Sequence, residues 1–358
     1  MAQPQPVVDL ADDGDDNDNA DAVAAELQGY FSRSTTWECE KTLGHGAHGT
    51  AILVKERSGR DGHQRRVVLK RALADGMAEL KAEIATLGKL RGGAHFSTLL
   101  ASCDDLTEFA DPGPSETTFK TIFTSLHGLR GPALVQEYYQ NGTINSLKEK
   151  AKAQNIDIPN RLLWNFYLCL VRACVGLAYL PTSPESGIER LEEIPSDRAA
   201  GDLVHGDIAG GNMVIGDMDP STPEHSTIPV LKMIDLGSSR ECAEAGKGVE
   251  ENLHSVAVEM LRMIRKGPVK TRGLRNATYF EGVRTVATDI LPGVDGMPRF
   301  PNLDPKLQDL LVQALRTDRG RRPTLAEMLA ATQNGCQSSA DALQDQDAVT
   351  IQRLIYDA

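Results

Sequence analysis

Basic residues are in short supply: the chain holds 38 Lys and Arg against 50 Asp and Glu, a formal net charge of −12. That balance excludes the positive face that nucleic-acid binding needs, so no nucleic-acid partner is expected. The opening segment has no Lys or Arg at all, while Asp9, Asp12, Asp13, Asp15, Asp16, Asp18, Asp21 and Glu26 carry most of the net charge. Residues 1–32 therefore read as an acidic disordered tail, and no signal peptide is expected. Long uncharged apolar runs are also missing. The most apolar stretch, LLWNFYLCLVRACVGLAYL, carries Arg172 in its middle and has the periodicity of a buried helix, so no membrane partner is expected. The six cysteines, Cys39, Cys103, Cys169, Cys174, Cys242 and Cys336, form no C-x-x-C pair and show no metal-ligand spacing. They read as reduced thiols of an intracellular protein, cytoplasmic or nuclear, with no zinc site.

What remains is ordinary globular material, 41% hydrophobic and 25% charged, in 358 residues. That length suits one large two-lobed unit or two domains with separate cores. From Trp37 the pattern alternates: WECEKTLGHGAHGTAILVKE, a Gly- and Asp-rich turn, then RRVVLKRAL, which predicts a β-hairpin running into a further strand. GMAELKAEIATLGKLRG places Leu80, Ile84, Leu87 and Leu90 on one helical face. FSTLLASCDD and GPALVQEYY predict another strand pair, separated by an insertion over 104–131. After QNGTINSL the character turns helical. Polar, Pro-containing insertions are read over 181–202 and 217–229, and residues 333–358 read as a polar C-terminal tail.

One stretch asks for a chemical explanation. LVHGDIAGGNMVIG, residues 203–216, sets His205, Asp207 and Asn212 between two apolar pairs. Asp, Asn and Gly all favour tight turns for backbone reasons, so a plain surface turn is one answer. Phosphoryl transfer offers another, because it asks a protein for a flexible loop over the phosphates, a cation to hold them, and oxygen ligands for Mg²⁺. Gly44, Gly46 and Gly49 stand in G-x-G-x-x-G spacing inside a hairpin instead of opening a helix, which argues against a dinucleotide fold. Lys70 closes the next strand, Glu83 lies on the following helix, and backbone groups of Glu137 and Tyr139 are candidates for an adenine ring.

Taken in order, these residues resemble a eukaryotic-type protein kinase domain over 33–332, with a small lobe at 37–139 and a larger one at 140–332. HGDIAGGN resembles the kinase catalytic loop, IDLG the metal-binding element that follows it, AEIATLGKLRG the helix bearing the lysine's ion-pair partner, and RGRRPTLAEML the last conserved segment of that family. The resemblance implies an α+β, two-lobed fold, β-rich with one helix in the small lobe and helical in the large one. It implies ATP and Mg²⁺ as cofactors and a protein as substrate. Lys70, paired with Glu83, would hold the α- and β-phosphates under the Gly44, Gly46 and Gly49 loop, and Asn212 and Asp235 would bind the metal. Asp207 would orient the acceptor hydroxyl and take its proton. Ala51 and Val68 would cover the adenine from one side and Val214 from the other, with Gln136 gating the pocket behind it.

The chain also departs from that pattern. Gly206 replaces the arginine that reads a phosphorylated activation loop, and Ala209, Gly210 and Gly211 leave out the loop's cation. The stretch from Asp235 to the helix at Asn252 is short, with no A-P-E motif, and Asn252 stands where the family has Asp. These departures keep two alternatives open: a small-molecule kinase of the aminoglycoside or choline phosphotransferase kind, and an ATP-binding pseudokinase scaffold.

Overall fold

The computed structural model describes residues 14–46, 49–58, 64–106, 120–182, 189–269, 276–341 and 345–356. The fold is α+β and divides into two compact units, residues 1–84 with 99–138, and residues 85–98 with 139–358.

The first unit is built on a five-stranded antiparallel sheet in the order β1-β2-β3-β5-β4. Helix α1 (Gly14–Phe31) precedes β1 (Trp37–Gly46), β2 (Gly49–Glu56) and β3 (Arg66–Ala72). Helix α2 (Met77–Leu90) follows and runs from this unit into the second; β4 (Leu99–Cys103), the short α3 (Lys120–Ser125) and β5 (Ala133–Glu137) complete the sheet. Alternation decides which residues face the core. Ile52, Val54, Val67, Leu69 and Val135 are buried together with Phe123 and Leu126 from the α3 region.

The same core takes in the side of α1, which corrects the reading of 1–32 as a disordered tail. Ala20, Ala24, Leu27 and Phe31 recur at helical spacing and are buried, Leu27 at 0% and Phe31 at 1% exposure. Arg71 bonds Glu26 at 2.9 Å, and Thr50 Oγ1 donates to the Ala20 carbonyl. High charge density argued for disorder, but four apolar residues on one stripe bury enough surface to hold the helix on the sheet. Residues 1–13 of the expected tail, 107–119 of the insertion at 104–131, and 183–188 of the insertion at 181–202 lie outside the described residues.

The second unit is helical. Helix α4 (Ile144–Ala153) opens with a capping box between Thr143 and Ser146. The long α5 (Asn160–Ala178) follows, almost wholly buried, and it is the core helix of this unit. By length and composition it would also span a bilayer. Arg172 in its middle is satisfied by both carboxylate oxygens of Glu224 and by the Glu192 carbonyl, which is how a charged residue sits inside an apolar helix. Short strands β6 (Leu203–Val204), β7 (Met213–Ile215), β8 (Leu231–Met233) and β9 (Arg240–Glu241) form two small antiparallel pairs, β6 with β9 and β7 with β8.

Helix α6 (Lys247–Arg265), the hairpin β10 (Thr278–Phe280) and β11 (Val283–Thr285), and α7 (Pro305–Ala314) follow. Asp304 caps α7 ahead of its N1 proline. The C-terminal reading is corrected too: residues 333–358 hold the second half of α8 (Leu325–Asp341) and all of α9 (Asp345–Tyr356). Gly335 lets α8 approach α5, since a Cβ there would meet the Trp164 ring at 2.3 Å. Ile351, Leu354 and Ile355 of α9 are buried. The segment looked polar because small residues and one apolar stripe make its contacts.

Candidate active site

In the first unit, the glycine hairpin joins β1 to β2, with Gly44 opposite Ala51 and Gly46 opposite Gly49. Ala51 pairs in turn with Lys70 on β3, and Val68 with Gln136 on β5. Because β3 packs Val67 and Leu69 into the core, Val68 and Lys70 emerge on the opposite face of the sheet, beside Ala51. Lys70 Nζ donates to Glu83 Oε2 at 2.7 Å, with the carboxylate 1% and the lysine 18% exposed. A carboxylate taken so far out of water is retained only with a partner. Of the expected pairings in this unit, the Lys70–Glu83 pair is therefore formed. Gln136 is buried, and Glu137, the last residue of β5, is exposed.

In the second unit, the loop between β6 and β7 brings Asp207 and Asn212 together. Asn212 Nδ2 donates to Asp207 Oδ2 at 2.8 Å and to the Asp207 carbonyl at 3.1 Å. The Asn212 carbonyl accepts from the Ile234 amide at 3.0 Å, which ties the residue preceding Asp235 to the loop. Asp235 is half-buried and holds φ +59°, in the left-handed region, a backbone strain of the kind found at working sites. Asp207 is exposed, so its carboxylate is presented to solvent rather than spent on packing. Val214 is buried on β7 opposite Lys232, and Tyr139 is half-buried, with Lys232 Nζ 5.9 Å from its ring centroid.

Beneath the loop, His205 is a packing residue. Its Nε2 bonds the Ile234 carbonyl at 3.1 Å and its Nδ1 accepts from the Asp207 amide at 3.3 Å. Burial lowers its pKa, so the ring is neutral, with the proton on Nε2. Gly206 has φ +83°, and a Cβ there would lie 2.2 Å from the Ser238 carbonyl. The turn therefore requires glycine where the resembled family has arginine.

Two partners were not anticipated from sequence. Asp202 caps the start of α6, accepting from the Gly246 and Gly248 amides at 2.9 Å each. Lys148 of α4 packs against Gly210 and pairs with the buried Glu259 at 2.9 Å. Neither has a short-range signal, since their partners lie on distant elements. No protein-family model matches this chain, and no curated protein matches it.

Proposed function

We propose that this chain is an ATP-dependent phosphotransferase with a two-lobed protein kinase-like fold, acting on a protein hydroxyl. The observation that carries the reading is the loop at 203–216, which holds an exposed Asp207 carboxylate by the amide of Asn212 on a buried backbone frame. A surface turn has no need for that frame. The Lys70–Glu83 pair in the other unit supports the same reading, because it fixes a cation on a sheet face beside Ala51 and a glycine hairpin.

The donor set fits a hard cation. Asn212 spends its Nδ2 on Asp207, which leaves its Oδ1 oxygen for a metal, and Asp235 supplies a carboxylate. Mg²⁺ held there would neutralise phosphate charge and orient the transferred group. Lys70 would bind the phosphates, and Glu83 keeps its ammonium aimed. Asp207 accepts a hydrogen bond from the acceptor hydroxyl and takes its proton late in a loose transition state, so an ordinary carboxylate pKa suffices.

The deciding measurement compares the parent with Asp207→Asn and Lys70→Met. In Asp207→Asn the side-chain oxygen still accepts from Asn212, so the fold and the thermal stabilisation by MgATP persist while phosphoryl transfer falls about 10²-fold or more. In Lys70→Met the MgATP shift disappears. Equal turnover in parent and Asp207→Asn, together with no MgATP shift in the parent, would sink the proposal.

A second acceptor class is favoured by one feature. Between Asp235 and α6 the chain holds only β9, paired to β6, and a turn capped by Asp202. That leaves little extended backbone for a peptide to lie on. ATP consumption that depends on Asp207 but labels no protein would assign a small-molecule acceptor.

A further inference from the structure

We infer that the second unit contains a structural zinc site made by His95, Cys169 and His225, with Glu192 behind it. One ligand atom from each of the three residues lies within 4.8 Å of the others. Ligands of a tetrahedral zinc stand roughly 3.5 Å apart, given Zn–N near 2.0 Å and Zn–S near 2.3 Å, so closure asks only for small side-chain rotations. The exposures are 0% for His95, 1% for Cys169 and 4% for His225.

The polar atoms of this cluster are unspent in a way that burial makes costly. His95 Nδ1 bonds Glu192 Oε2 at 2.5 Å and its amide bonds Glu192 Oε1 at 3.0 Å. Its Nε2 has no hydrogen-bond partner, and neither ring nitrogen of His225 has one. Burying two imidazoles with three unsatisfied nitrogens carries a desolvation cost that a metal would offset. The two rings stand edge to face, with centroids 5.2 Å apart.

Glu192 has the geometry of a supporting carboxylate. It spends both oxygens on His95, fixing the ring so that Nε2 is the atom offered, as the outer carboxylate of a carboxylate–histidine–zinc arrangement does. It is a positioning residue, and three protein ligands would leave the fourth tetrahedral position open to a water. Two imidazoles and a thiolate match zinc better than Mg²⁺ or Ca²⁺, which take oxygen. Cys169 would bind as the thiolate and His95 through Nε2, so metal entry releases protons and the site's affinity falls at low pH.

The site accounts for two insertions that the phosphotransferase reading leaves idle. Glu192 lies in 181–202 and His225 in 217–229, while His95 precedes β4 and Cys169 sits on α5. Arg172, one turn along α5 from Cys169, holds the same two segments through the Glu192 carbonyl and Glu224. A metal would clip both insertions to the core helix, closing long loops at one point.

The test uses the full chain without nucleotide, so its outcome is independent of ATP chemistry. Metal content by mass spectrometry should be about one zinc per chain. After chelation, Co²⁺ should restore one equivalent with a thiolate-to-cobalt charge-transfer band in the near ultraviolet, and zinc should raise the melting temperature by several degrees. Cys169→Ala should lose the band and His225→Ala the stoichiometric metal, with circular dichroism reporting whether each still folds. Glu192→Gln keeps the packing and should bind zinc about 10- to 100-fold more weakly. A parent that takes up neither zinc nor cobalt, or a full equivalent retained by a folded Cys169→Ala/His225→Ala chain, would overturn the assignment.

Discussion

Asn252 Oδ1 accepts the amide hydrogen of His205 at 3.1 Å, and its Nδ2 donates to the Leu203 carbonyl at 2.9 Å. One buried side chain on α6 thus satisfies a donor and an acceptor on either side of Val204, at the entrance to the Asp207 loop. Aspartate at this position can only accept; the amide does both. Asn252→Ala leaves two buried backbone groups without these partners, at about 1–3 kcal/mol each where water cannot replace them. The expected outcome is a melting temperature several degrees lower and, on the proposed phosphotransferase reading, turnover falling further than stability alone explains. Denaturant melts beside single-turnover rates check this; a variant as stable and as active as the parent would show that Asn252 braces nothing.

Helix α1 carries a second prediction. Leu27 and Phe31 pack into the core of the first unit with Trp37, Ile52 and Phe123. Truncating a fully buried Leu or Phe to Ala typically costs about 2–5 kcal/mol. Leu27→Ala and Phe31→Ala should therefore each lower stability by that order, and a chain beginning at Ser32 should lose more than either. Urea unfolding curves give the comparison. A shortened chain as stable as the parent would mean that the acidic segment is dispensable.

The parts of this fold that could be read from sequence are those whose causes are local. Alternation in GTAILVKE and RVVLK placed β2 and β3, and a helical stripe placed α2. The Lys70–Glu83 pair follows from the family resemblance, while the Asp207–Asn212 bond, which joins residues on one loop, was not foreseen. Helix α1 escaped because charge dominated its composition while half of its buried stripe, Ala20 and Ala24, is small. The His95, Cys169, Glu192 and His225 cluster escaped for a different reason. Its members come from four separated segments, and cysteine spacing reports only metal sites whose ligands are neighbours in the chain. The pairing of Asn252 with His205 and Leu203 likewise depends on α6 meeting β6, which no window of sequence contains.

The acid limb of the stability curve should belong in part to His254. This half-buried side chain on α6 has its pKa pushed down to about 4, first by burial and then by Arg322 and Arg319, against the opposing pull of Glu250 and Glu251. An unfolded histidine titrates near 6.5. Between these values the unfolded chain binds a proton that the folded chain refuses, so stability is full above 6.5 and is lost as pH falls toward 4. Burial pushes His205 the same way. Glu192 and Glu327, both lowered from 4.5, act only below that value. The interval from pH 6.5 to 5 therefore isolates histidines. Discounted for partial exposure, the His254 share at pH 5 is about 1 kcal/mol, or about 2–4 °C. Melting His254→Gln and the parent at pH 7 and pH 5 should show the variant losing less by that amount. Equal losses would mean that solvent reaches His254 and that its proton binds alike in both states.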